Sequence, residues 1–154
     1  MNTSQASQKW RCSVSAVRNY CKSGVIPSAY KDSQFPFAWV IPDECKKPPM
    51  TRSTLCFLLD AVACAHEGAI IDVDAWGFGE EKTLRCYEYL ISFQFMTPID
   101  LSKLQSELKE ASLTKRGADL IERENKENNK HYRAYIKGSL NLGVVSIEAG
   151  TTPQ

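Results

Sequence analysis

The chain has 154 residues, 43% of them hydrophobic and 24% charged, with a net charge of +1. This is ordinary globular composition, enough for one domain or two small ones, with no low-complexity run. The polar opening Met1-Asn2-Thr3-Ser4-Gln5 holds no apolar signal core, and the longest apolar run is far too short to cross a bilayer, so a soluble cytoplasmic protein with no membrane partner is expected.

Thr3–Trp10 reads as a first helix, with Ala6 and Trp10 spaced i,i+4 so that both can cover Val17. Only Arg11-Cys12-Ser13-Val14 separates it from a second, amphipathic helix, about the length of the turn in a helix-turn-helix. Ser13 and Ser15 are both N-cap types, because a serine hydroxyl accepts from the open amides of a first turn. Val14, Val17 and Cys21 then form the apolar face, while Arg18, Asn19 and Lys22 point outward. Gly24 supplies a left-handed stop and Pro27 forbids resumption. A pair of strands follows, ending in Trp39-Val40-Ile41-Pro42, where the Trp39 ring is placed to cover Val17 and Ile26. A helix presenting arginine, asparagine and lysine on one side suits a major groove, where the first two pair with base edges and the third with phosphate.

The phrases that carry a resemblance are Lys9-Trp10, Val17-Arg18-Asn19-Tyr20-Cys21-Lys22-Ser23-Gly24, Ile26-Pro27, Ala29-Tyr30-Lys31, Trp39-Val40-Ile41-Pro42 and Lys47-Pro48. Taken in order over Ala6–Pro48, about a third of the chain, they resemble the winged helix-turn-helix of bacterial excisionases and mercury-resistance-type (MerR) regulators. The resemblance implies a second helix that enters the major groove and a wing that touches the backbone beside it. Carried over by position, it implies Ser15, Arg18, Asn19 and Lys22 as the reading helix. It implies Lys31 to Gln34, with Lys31, Ser33 and Gln34 as contacts, for the wing. The wing tip Asp32-Ser33-Gln34-Phe35-Pro36-Phe37 departs from the short glycine-basic turn common in such proteins. Phe35 and Phe37 are expected to fold back onto the small core, the alternative being a hydrophobic contact with a partner.

Residues 1–50 hold seven Lys and Arg against three Asp and Glu, and residues 51–154 hold twelve against fifteen. The balance of +4 thus coincides with the expected DNA reader, and the second half carries −3. The prolines of Lys46-Lys47-Pro48-Pro49-Met50 stop both helix and central strand, which sets two domains, 1–47 and 51–154.

In the second half, Thr51 or Ser53 caps a long helix from Thr54 to about Glu67, which Gly68 ends. Ile70-Ile71-Asp72-Val73 is β-like and leads into the turn-rich Asp74–Gly79. A further helix starts near Glu80, with Leu84, Tyr87, Leu90 and Ile91 on its apolar side. Its outward Glu80, Glu81, Lys82, Arg85 and Glu88 are mostly acidic and would repel phosphate. Leu101, Leu104 and Leu108 predict another helix across Asp100–Glu110. The phrase Leu113-Thr114-Lys115-Arg116-Gly117 resembles the wing-to-helix passage of multiple-antibiotic-resistance-type (MarR) regulators. That implies a second winged-helix-like domain, here with an insertion. His131–Ile147 alternates about a Gly-Ser turn and reads as a hairpin.

No two of the six cysteines form a C-x-x-C pair, and neither histidine stands near them at ligand spacing. Cys21, Cys56, Cys64 and Cys86 fall among apolar neighbours in helices, as buried reduced thiols do. There is no Gly-rich phosphate loop, nucleophile elbow or metal cluster, and helix capping accounts for Asp72 and Asp74. The expectation is a mainly helical α+β protein with no enzymatic activity, cofactor or small-molecule ligand. It binds double-stranded DNA as a regulator or excisionase-like factor, as a homodimer or beside another DNA-bound protein. The alternative is an interaction module of winged-helix shape without DNA affinity.

Overall fold

Asn2 opens the first helix, α1 (Thr3–Trp10), with a capping box. Its side chain accepts from the Gln5 amide at 2.9 Å, and the Gln5 side chain accepts from the Asn2 amide at 2.8 Å. The structure, a computed structural model, describes residues 1–35 and 37–128. Among these it is mainly helical, with one two-stranded antiparallel sheet. The chain divides into two compact units, Met1–Arg52 and a second beginning at Ser53.

In the first unit α1 ends at Arg11, whose left-handed conformation (φ 51°) turns the chain, and Ser7 Oγ donates to the Cys12 carbonyl at 2.6 Å. Ser13 then caps α2 (Val14–Ser23), accepting from the Ala16 amide at 3.1 Å, and Gly24 closes it with φ +81°. A left-handed closing residue is where glycine costs least, since any Cβ would crowd the following carbonyl. The two helices pack through Ala6 and Trp10 on one and Val17 and Cys21 on the other, all buried. Val25, Ile26, Ile41 and Cys45 complete this core.

The sheet is a hairpin. Strand β1 (Tyr30–Lys31) pairs with β2 (Trp39–Val40), Tyr30 opposite Val40 and Lys31 opposite Trp39. After β2 the chain is tied back to the start of the unit. Ile41 and Met1 exchange hydrogen bonds of 2.9 and 2.7 Å, and Lys9 Nζ donates to the Asp43 carbonyl at 2.7 Å.

One expectation fails in the hairpin. Phe35 and Phe37 do not fold back onto the core: they are 66% and 91% exposed. The Asp32 carboxylate, accepting from the amides of Gln34 and Phe35, holds the tip as a tight turn of its own and directs the chain away from the core. Trp39 is half-buried, and Lys31 Nζ stands 5.5 Å from its ring centroid.

The second unit is built around α3 (Arg52–His66), in which Leu55, Leu58, Leu59 and Val62 are buried. Opposed to it is α4 (Glu80–Ser92), whose fully buried Tyr87 donates its hydroxyl to the Leu58 carbonyl at 3.0 Å. Burial pushes the Tyr87 phenol well above its ordinary pKa, so it stays a donor. The β-like Ile70–Val73 segment is not a strand. Ile71 is buried, Ile70 is 85% exposed, and Val73–Trp76 forms a 3-10 turn capped by Asp72. The Gln105 amide accepts from the Val73 amide and donates to the Ile71 carbonyl, taking up the backbone groups that a sheet partner would have used. Phe57, Trp76 and Phe78 meet edge to face beside it, with centroids 5.3 and 5.9 Å from that of Phe57.

Asp100–Glu110 is not one helix either. A 3-10 turn (Leu101–Lys103), the single-turn α5 (Leu104–Glu107) and another 3-10 turn (Leu108–Glu110) follow one another. Asp100 caps Ser102 tightly, through both its amide and its hydroxyl, and Lys103 leaves helical geometry with φ −123°. Met96 and Leu113 form an antiparallel bridge, after which α6 (Lys115–Asn128) begins. The Glu124 side chain on α6 is fully buried and accepts from Ser53 Oγ at 2.7 Å. The hairpin expected over His131–Ile147 lies outside the described residues.

Candidate nucleic-acid interface

Helical geometry gathers four of the expected contact residues. Ser15, Arg18, Asn19 and Lys22 stand at i, i+3, i+4 and i+7 along α2, so their side chains share one stripe. All four are exposed, while Val17 and Cys21 on the opposite side are buried. The apolar half of α2 therefore sets the rotation of the helix, and its polar half faces solvent as a consequence. Burial also pushes the Cys21 thiol up to about 11, with Cys45 adding to the shift, so this thiol carries no charge near neutral pH.

The other three expected contacts lie on the hairpin. Lys31 is in β1, and Ser33 and Gln34 are in the turn; all are exposed. They sit on a different element from the α2 stripe. The turn is well braced: Gln34 N donates to Asp32 Oδ1 at 2.8 Å, and Ala38 N donates to the Phe35 carbonyl at 2.8 Å. Asp32 N closes the hairpin by donating to the Ala38 carbonyl at 3.0 Å.

Charge follows the same division. Residues 1–52 hold eight Lys and Arg against three Asp and Glu, a balance of +5. Of the three acids, Asp32 is engaged by turn amides and Asp43 pairs with the Met1 ammonium at 3.1 Å. In the second unit α4 exposes Glu80, Glu81, Lys82, Arg85 and Glu88, with Arg85 bridged to Glu81 one turn away. The His66 side chain is exposed in the last turn of α3. Among the described residues no group of three or more His, Cys, Asp or Glu could hold a metal ion, and no helix is long and apolar enough to cross a membrane.

The aromatic tip is what sequence reasoning misplaced. The signal that could have found it is Asp32 itself, two residues before Gln34, since an aspartate there favours a tight local turn at the hairpin tip. No family model, curated protein or solved structure matches this chain.

Proposed function

We propose that the protein is a sequence-specific DNA-binding protein, a bacterial transcriptional regulator or an excisionase-like factor of a mobile element, working in the cytoplasm without catalytic activity. The observation that carries this reading is the exposed stripe Ser15, Arg18, Asn19, Lys22 on α2, backed by α1 across a short turn. Such a helix places arginine and asparagine where they meet base edges and lysine where it meets phosphate. The hairpin is then the wing of a winged helix-turn-helix, with Lys31, Ser33 and Gln34 beside the groove. The basic balance of the first unit supports this, because neutralising phosphates drives most of the affinity.

One reading helix spans few base pairs, so specific binding needs a second copy or a second protein. The residues from 51 onward, which offer an acidic α4 rather than a basic face, are assigned to that assembly, as a winged-helix-like dimerisation or partner-binding domain. Light scattering of the full chain with and without duplex tests this: a dimer, or a pair of chains per site, is the predicted result.

A second reading has its own support. The exposed Phe35 and Phe37, and the acids of α4, fit a protein-interaction module without DNA affinity. A gel shift against random duplex over a range of salt separates the two. The DNA reader shifts duplex and weakens steeply as salt rises, whereas the interaction module gives no shift at any salt.

A further inference from the structure

We propose that Phe35 and Phe37 form an apolar wedge that enters a base step of the duplex and bends it. The proposal rests on the DNA-binding reading of α2 and adds to it an interaction made by the hairpin tip. Three observations lead here.

The rings are exposed, at 66% and 91%, on a turn that cannot easily collapse to hide them. Phe35 is held at both backbone ends: its amide donates to Asp32 Oδ1 at 3.3 Å, and its carbonyl accepts from Ala38 at 2.8 Å. Exposed aromatic surface on a braced turn costs solvation free energy in the isolated protein, and burial against a ligand recovers it.

The neighbours of the rings define the ligand. Lys31, Ser33 and Gln34 are exposed on the same hairpin, and the unit carries a balance of +5. Two exposed rings on a hairpin that also carries a lysine and polar side chains suit a ligand that is anionic as well as apolar. A duplex meets both demands, its phosphates supplying the negative charge and its bases flat apolar faces where a step opens. The Asp32 carboxylate accepts from two turn amides through Oδ1.

Apolar side chains that enter a base step unstack it in part and kink the duplex, an energetic cost offset by the apolar surface buried between ring and base. The division of labour is then plain. The α2 stripe reads the groove, and the tip reads how easily a neighbouring step opens, so flexible pyrimidine–purine steps are preferred at that position.

The test uses the full chain, the double variant Phe35→Ala/Phe37→Ala, and a duplex of about three helical turns carrying an energy-transfer pair at its ends. Because both rings are exposed, the variant should keep the thermal melt of the parent. Binding of the parent should shorten the end-to-end distance. The variant should bind roughly tenfold more weakly and leave the duplex straight. Its dependence of affinity on salt should match the parent's, since no charge is removed. A parent that binds without bending overturns the wedge, as does a variant that binds and bends like the parent; either result leaves the α2 reading intact. A parent that shifts no duplex at low salt overturns the wedge and the DNA-binding reading together.

Discussion

The backbone of Gly117 lies against the carbonyl of Phe95 so closely that a Cβ on residue 117 would stand 2.0 Å from that oxygen. This close approach belongs to a set of interactions that anchors α6. The Thr114 amide donates to Phe95 O at 3.2 Å, Thr114 Oγ1 to Gln94 O at 2.6 Å, and Arg116 Nη1 to Phe93 O at 2.6 Å. Three successive carbonyls past the end of α4 thus find donors at the start of α6, and only a residue without a side chain fits between them.

Gly117→Ala should therefore destabilise the second unit by more than an ordinary overpacking change, about 3 kcal/mol or above, because the obstacle is backbone and not a side chain that can turn away. Thermal or urea unfolding of the variant checks this, and a melt equal to the parent's would mean that α6 can shift outward freely.

Trp39 gives a smaller number. A fully packed tryptophan costs about 3–5 kcal/mol on truncation to alanine. Trp39 is only half-buried, with Lys31 near its ring, so roughly half of that is expected for Trp39→Ala. Unfolding curves measure the loss. A variant with parental stability and lost DNA affinity would make Trp39 a contact residue instead.

The thiols give a pH prediction. Burial pushes Cys21 and Cys86 from 9.0 up to about 11, with Cys45 adding to the shift at Cys21. Folding thus favours the protonated thiol, and the Tyr87 phenol is raised in the same direction. Stability from these groups is whole below about 9 and is lost as pH rises through about 11, because the unfolded chain releases its protons first. Melting temperature under reducing conditions should hold level to pH 9 and then fall. Replacing both thiols, as Cys21→Ala/Cys86→Ala, should flatten part of that decline; an unchanged slope would assign it to other groups.

Local chemistry was the legible part of this chain. Helix α1 falls on the predicted Thr3–Trp10, α2 begins at one of the two serines proposed as its cap, and Gly24 ends it. In each case the stop or start is a single residue acting on its own backbone. The misread segments depend on partners distant in sequence. Ile70–Val73 has a strand's composition, but its backbone is satisfied by Gln105, more than thirty residues away. The leucines of 101–108 have helical spacing and Asp100 caps the first turn, yet Lys103 leaves helical geometry and breaks the run. For the candidate site, the outward Arg18, Asn19 and Lys22 of α2 were readable from periodicity, whereas Ser15 entered through the resemblance. The hairpin tip was not, because hydrophobicity pointed Phe35 and Phe37 inward while the Asp32 turn points them out.

The proposed reading of DNA sequence by α2 can be checked at Arg18. A duplex enriched from random sequence by the full protein would be titrated with parent and with Arg18→Ala at one fixed salt concentration, alongside an unselected duplex. Arg18→Ala should lose about 1–3 kcal/mol of affinity for the selected duplex, well beyond its loss on the unselected one, and tolerate a changed base at one position. Equal affinity of parent and variant for the selected duplex would contradict it.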